Sequence, residues 1–404
     1  MSSVASPPAT FPITTRATAL LHLNFLLTGI VMTFLGPMLP ILASRWAMSD
    51  AVSGRLYLTQ FISSMFGMLS SAPVVRMRGY RFTFIIGLIL MAGGMALLAS
   101  GPFVQGIIAV AILGFGHGIT TPAGNLRTAD INPGGSASAL NVINAVWGFG
   151  AMSSPLLLKA TAHRPSYFLY GTAAALSTLL AIHLVVRFVP DAHLEEHQVN
   201  NLATGTWRPG MLPVICALFF IYVGAETSFG GWVATYAHRI GQESKLWAMA
   251  PSFFYGAMLA GRALAPLALT RLRETTVAQI GLTLALLGGV ALVSAQNIAV
   301  IIAGSFFAGV GLASIFPISV SLFPRWFAES SRRASGAVFA SGNLGGAVLP
   351  WLVGVVSTHS GSLRLALFVP LVSVAAMLTF YVTNSSDRQV PRLRKSLPEM
   401  PAAL

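Results

Sequence analysis

Charge is what this chain has least of. Only 9% of its 404 residues are Asp, Glu, Lys or Arg, against about a quarter in ordinary soluble domains. A water-facing surface of that length is not built from so few charges. Cysteine is nearly absent too. One residue, Cys216, excludes an intrachain disulfide, and no His/Cys cluster has metal-ligand spacing. Short alternating strands are missing, which excludes a β-barrel. No Ser, His and Asp set lies at the span ends, so nothing points to an enzyme. The opening stretch, Met1–Pro12, lacks a basic region leading into a short apolar core and reads as a polar tail, not a cleavable signal.

What remains is apolar. Hydrophobic residues make up 55% of the chain and mean hydropathy is +0.74. They fall into runs long enough to cross about 30 Å of hydrocarbon. Twelve spans are expected, at 17–43, 52–74, 82–100, 104–127, 135–158, 166–187, 210–237, 246–269, 276–295, 298–321, 333–357 and 363–383. The formal charge of +13 sits in the gaps between these runs, where basic residues set topology and do not recruit nucleic acid. With both termini inside, sixteen Lys and Arg face the cytoplasm and seven face out. The cytoplasmic set includes Arg76, Arg78, Arg81, Arg271 and Arg273; Arg262 falls within a span. The fold class expected is therefore an all-α membrane protein with both termini cytoplasmic. A polar linker at 188–209 separates residues 1–187 from residues 210–404.

The two parts echo each other at an offset of 195. Gly29 matches Gly224, Phe34 matches Phe229 and Gly36 matches Gly231. Arg76 and Arg78 match Arg271 and Arg273; Gly116 matches Gly311, Pro122 matches Pro317, Gly150 matches Gly345 and Pro155 matches Pro350. The offset preserves span order and side, as in parallel repeats related by an axis along the membrane normal. Two such six-helix bundles can rock about a central site, which is alternating access.

These landmarks resemble the major facilitator superfamily. The loop from Pro73 through Arg76, Arg78 and Gly79 to Arg81 resembles the family's cytoplasmic signature of glycine, aspartate and arginines, without its acid. Arg271-Leu-Arg273-Glu274 is a degenerate second copy. In that family the loop helps gate the inner face. Within the superfamily the chain looks like the fucose and glucose permease group. Gly114-Phe-Gly116-His-Gly118 with Asn125 in span four and Leu140-Asn141 with Phe149, Gly150 and Pro155 in span five carry the likeness. Tyr222, Gly224, Glu226, Gly231, Trp232 and Tyr236 in span seven and Gly261-Arg262 in span eight add to it. Alignment puts Gly36 and Thr121 where that group's symporter carries its proton-handling acids, and Trp147 where a cavity asparagine stands. The resemblance implies solute transport, while neither the proton site nor the fucose site is carried over.

Polar residues inside spans mark a solute path or a structural tie. Glu226 is the one acid placed deep in a span, and Arg262 is its natural partner one helix on. Glu226 reads as a proton-titrating group, as a hydrogen-bond acceptor for a polar solute, or as a structural carboxylate tied to another helix. Arg262 reads as a clamp on it, as a contact for an anion, or as a side chain that snorkels to the cytoplasmic interface. Asn125, Asn141, Asn144, Asn343 and Gln60 offer both donors and acceptors to hydroxyls. Trp147 and Trp232 offer flat faces that stack on a sugar ring, and are equally large packing groups. His117, four residues before Thr121, is a candidate substitute for the missing acid.

The leading expectation is secondary transport of a small polar solute, most naturally a sugar, with proton coupling open. The alternatives are drug or metabolite efflux and ion-independent uniport on the same fold. No cofactor is expected. The expected partners are the solute, protons and the lipid of a bacterial inner membrane, and each chain, holding its own pathway, is expected to act as a monomer.

Overall fold

The computed structural model of the chain describes residues 11–132, 135–161, 164–185, 210–241, 246–321 and 331–383. The expected linker at 188–209 and the tail beyond 383 lie outside the described residues. Fourteen α-helices are described and are numbered here in chain order. The first six are α1 (Phe11–Thr33), α2 (Leu35–Arg45), α3 (Asp50–Ser100), α4 (Phe103–Asp130), α5 (Ser136–Ala160) and α6 (Pro165–Val185). The second part holds α7 (Met211–Ile240), α8 (Ala250–Leu269), α9 (Glu274–Ser294), α10 (Ile298–Leu312), α11 (Ile315–Ser321), α12 (Ser331–Ser360), α13 (Leu363–Ala366) and α14 (Phe368–Thr383).

Breaks between elements follow from local chemistry. Between α1 and α2 the axis bends by 41°. Pro37 has no N–H to offer the Thr33 carbonyl, so the ladder is interrupted there. Pro317 does the same to the Ala313 carbonyl between α10 and α11. The 51-residue α3 runs through the loop expected between spans two and three and turns only at Gly79, whose φ of 80° and ψ of 170° favour glycine. Ser49 caps the first turn of α3 by accepting from the Val52 N–H, and Asn297 caps α10 at Val300.

Among the described residues nine helices are long and apolar enough to cross a membrane, or ten with α1 and α2 taken as one bent span. Twelve were expected from the sequence. The difference has two sources. The α3 helix covers two expected spans in one continuous element. Its counterpart in the discrepancy is α5, which is 25 residues long but whose apolar stretch is diluted by Asn141, Asn144, Ser153 and Ser154. Large apolar side chains such as Ile89, Ile108, Leu287 and Val372 are exposed on the helix surfaces. That is how a bundle meets lipid, since contact with hydrocarbon carries no hydrophobic penalty.

Close backbone contacts repeat the sequence offset. Gly150 on α5 lies against the Leu26 carbonyl and Gly29 of α1. Gly345 on α12 lies against the Phe220 carbonyl of α7, and Gly224 against the Gly345 carbonyl. Gly116 approaches the Gly87 carbonyl, and Gly311 that of Gly281. The matched glycines thus make matched helix crossings, of the small-residue kind that lets membrane helices approach closely. Among the described residues, glycines mark three of the helix pairs along which the first and second parts of the chain meet. Gly36 of α2 packs on Gly230 and Gly231 of α7, Gly54 of α3 on Trp351 of α12, and Met152 of α5 on Gly256 of α8.

Candidate functional site

Between the two parts of the chain, bordered by Gly36 and Gly231 of the first of these seams, there is a cavity of about 240 Å³. Its wall draws on both parts of the chain. Met32, Thr33, Tyr57, Phe61, Met68, His117, Thr121, Asn144 and Trp147 come from the first. Phe219, Tyr222, Val223, Glu226, Thr227, Tyr255, Arg262, Phe316, Phe339 and Asn343 come from the second. Among the described residues Glu226 is the one acid in this wall and Arg262 the one Lys or Arg.

The charged pair is loose. Arg262 Nη2 lies 3.9 Å from Glu226 Oε2, beyond hydrogen-bond length, and 3.4 Å from the Tyr222 hydroxyl, to which it donates. Arg262 Nε is enclosed without a hydrogen-bond partner. Tyr222 stands one turn before Glu226 on α7, so both face the same side. The guanidinium is therefore held by the helix packing and is incompletely satisfied by its neighbours.

His117 is placed differently. Its Nε2 is 3.2 Å from Thr121 Oγ1 and its Nδ1 is 3.3 Å from Ser64 Oγ. Thr121 also bonds back to the His117 carbonyl at 3.0 Å. A threonine hydroxyl has one proton. Given to the carbonyl, it leaves Thr121 Oγ1 to accept from Nε2–H, and Nδ1 to accept from Ser64. We assign the neutral Nε2–H tautomer on this network. His117 thus presents a ring edge already bonded on both nitrogens.

The remaining candidates divide. Asn144, Trp147 and Asn343 border the cavity with Glu226, Arg262 and His117. Asn343 Nδ2 donates to the Phe339 carbonyl at 3.1 Å and Asn144 Nδ2 to the Leu140 carbonyl at 2.7 Å. Each keeps its amide oxygen for a ligand. Gln60 is buried and its amide donates to the Val31 and Met32 carbonyls at 3.4 and 3.2 Å, in the last turn of α1 before its break. Trp232 is fully buried; its Nε1 donates to the Pro350 carbonyl at 2.9 Å and its ring lies 6.3 Å from that of Tyr57. Both tie helices together, outside the cavity wall. Asn125 is half-buried on α4 with its Oδ1 enclosed and unpartnered, and Asn141 is exposed on α5 one turn before Asn144. Neither borders the cavity.

Of the expected gating arginines, Arg76, Arg78, Arg271 and Arg273 are exposed. Arg78 stacks 5.8 Å from the Phe82 ring centre. Arg81 donates to the His183 and Leu184 carbonyls at 3.2 and 2.7 Å, tying the turn after Gly79 to the end of α6. Beside them Tyr80 donates to Asp130 at 2.6 Å. Asp130 on α4 supplies this end with the acid that the loop itself lacks. Tyr57 and Tyr255 are wall residues that the sequence reading passed over. Among the described residues no group of three His, Cys, Asp or Glu side chains is placed to hold a metal.

A cavity shared by two repeated sets of apolar helices is the site of a membrane transporter. The sequence matches the Major Facilitator Superfamily over residues 21–298. The chain belongs to that superfamily, as a transporter and not an enzyme. It is 22% identical over 357 residues to the glucose/mannose transporter GlcP of Bacillus subtilis, spanning 84% of this chain and 88% of that protein. In structure it is similar to the nucleoside transporter NupG, with a TM-score of 0.76, 14% identity and coverage of 92% and 99% of the two chains. It is similar also to a D-xylose-proton symporter, with a TM-score of 0.74, 13% identity and coverage of 91% and 97%.

Proposed function

We propose that the protein imports a monosaccharide by proton-coupled alternating access, within the fucose and glucose permease group of its superfamily. The observation that carries this is the convergence of Glu226, Arg262, Asn144, Asn343 and Trp147 on one cavity between the repeated halves. Amides that keep a free oxygen suit hydroxyls, which both donate and accept. Trp147 supplies a flat apolar face beside them. The cavity, at about 240 Å³, has room for a small polar solute. The likeness to a glucose/mannose transporter agrees with this solute class.

Glu226 is assigned the proton. A metal cation would need several oxygen ligands around that carboxylate. Its ion-pair partner is instead a guanidinium, and Phe219, Val223, Phe316 and Phe339 make up much of the adjacent wall. A proton needs the carboxylate alone. Protonation would release Arg262 from Glu226 and free it for the solute.

The same reading gives twelve spans in two bundles. Dividing α3 at Gly79 and counting α5 supply the two spans beyond the ten. The bundles take residues 1–187 and 210–404, with 188–209 as linker. Both termini are taken as cytoplasmic, in a bacterial inner membrane, a reading that the excess of basic residues on that side supports. The chain is taken as a monomer that holds its own path.

One observation favours efflux of an amphipathic compound instead. Phe219, Phe316 and Phe339 cluster with ring centres 5.6 to 6.4 Å apart on one side of the cavity. Uptake of labelled hexoses into proteoliposomes, with and without an imposed pH gradient, separates the two. Gradient-driven hexose accumulation is the expected result. Absence of hexose flux together with flux of amphipathic compounds would replace the proposal with efflux. Within the sugar reading, Trp147→Ala is expected to raise the KM for uptake by about tenfold, the loss of one aromatic contact worth roughly 1.4 kcal/mol. An unchanged KM would remove Trp147 from the binding wall.

A further inference from the structure

At one end of the molecule Asp50 joins the two halves of the chain. It is the first residue of α3, and both carboxylate oxygens are engaged from the second half. Arg239, near the end of α7, donates Nη1 to Oδ2 at 2.9 Å and Nη2 to Oδ1 at 2.5 Å, a bidentate pair. The buried Ser357 of α12 donates its hydroxyl to the same Oδ2. One residue on, the Ala51 N–H donates across the seam to Thr358 Oγ1 at 2.8 Å. Beneath this layer Gly354 lies against the Asp50 carbonyl, and Tyr57 donates to the Gly231 carbonyl at 2.9 Å. Tyr57 is also part of the cavity roof.

We propose that Asp50, Arg239, Ser357 and Thr358 form the releasable gate that holds this end of the transport path shut, and that opening it is a step of the cycle. The contacts all cross between the halves that must separate. They also sit where separation is tolerable. The Arg239 side chain is 46% exposed and the Asp50 side chain 10%, so water replaces each partner as the seam parts, which it would not for a fully buried pair. After opening, the Asp50 carboxylate keeps the favourable field of the α3 N-terminus. The Ser49 cap on Val52 is likewise internal to the first half and stays intact. The gate thus rests on a charge pair and two hydroxyls that let go without unfolding a helix. By the orientation proposed above this is the periplasmic end, so the structure is closed outward.

Cavity accessibility tests this without a substrate, and so independently of the sugar proposal. A reporter Thr227→Cys is placed in the cavity wall in a Cys216→Ser background. Its modification by a membrane-impermeant thiol reagent is followed from each side, in right-side-out and inverted vesicles. Asp50→Asn and Arg239→Gln are each expected to speed labelling from the Asp50 side by about fivefold, the worth of a partly exposed pair. High salt should speed it in the parent and have little effect in Asp50→Asn, because only the parent has the pair to screen. The pair Asp50→Cys with Ser357→Cys, oxidised, should leave the reporter reachable from the opposite side alone, and reductant should restore labelling from both. Labelling from the Asp50 side that is indifferent to both single substitutions overturns the gate. So does an oxidised cysteine pair that leaves access from that side unchanged, or a pair that does not cross-link.

Discussion

Glu226→Gln is expected to abolish uphill accumulation of solute while leaving exchange across the membrane running. Glutamine keeps the size of the side chain and resembles the protonated acid, so the cavity retains its shape. It has no proton to release on the far side. A pH difference of one unit stores about 1.4 kcal/mol and sustains about tenfold accumulation at one proton per solute. In the variant that ratio should fall to unity, with counterflow of labelled against unlabelled solute preserved. Arg262→Gln should behave otherwise. It leaves the Glu226 carboxylate, whose side chain is 15% exposed, without its guanidinium. The carboxylate then faces the cavity with no cation beside it among the described wall residues. Exchange as well as accumulation should then weaken, because the solute also loses the Arg262 donors. The contrast between the two variants separates a coupling role for Glu226 from a merely structural one. A structural role would make Glu226→Gln and Arg262→Gln alike, and a retained gradient response in Glu226→Gln would move the proton elsewhere.

The sequence disclosed depth more readily than direction. Runs of apolar residues and the 195-residue offset located the helices and the matched glycines, because both are one-dimensional signals. Which face of a helix meets the cavity is settled by packing that no single segment contains. Trp232 and Glu226 share α7, yet six residues at about 100° each leave them roughly 120° apart. One borders the cavity, and the other is sealed against Pro350. Gln60 is next to the wall residue Phe61 and so points about 100° away from it, toward the Val31 and Met32 carbonyls in the last turn of α1. Tyr57 and Tyr255 carried no signal of their own, being single aromatic residues in apolar runs. The continuity of α3 past residue 75 was equally hidden. Arg76, Arg78 and Arg81 are good helix formers despite their charge, and only Gly79 takes a non-helical conformation.

Leucine at Gly150 or at Gly345 should prevent the protein from folding into a monodisperse species, and the two substitutions should do so to a similar degree. A Cβ at either position runs into a backbone carbonyl of the facing helix, Leu26 in one half and Phe220 in the other. No side chain can swing aside to make room, so the helices themselves must part. Overpacking of a tight interior costs about 1–3 kcal/mol when side chains can adjust, and here the relief is a helix displacement that also opens the Gly29 and Gly224 contacts. Gly93 and Gly171 supply the control. They are exposed glycines with nothing within 4 Å of a built Cβ, and leucine there replaces a poor helix former with a good one at a gain of up to about 1 kcal/mol. Size-exclusion profiles and thermal stability in detergent should therefore separate the four variants into two pairs. The equality within the sensitive pair is the informative part. Gly150 and Gly345 are 195 residues apart and share neither neighbours nor a helix. Equal sensitivity is expected if the α1–α5 and α7–α12 crossings are equally tight. A folded Gly345→Leu beside an unfolded Gly150→Leu would mean that the repeat has decayed in the second half and that its α7–α12 crossing tolerates spreading.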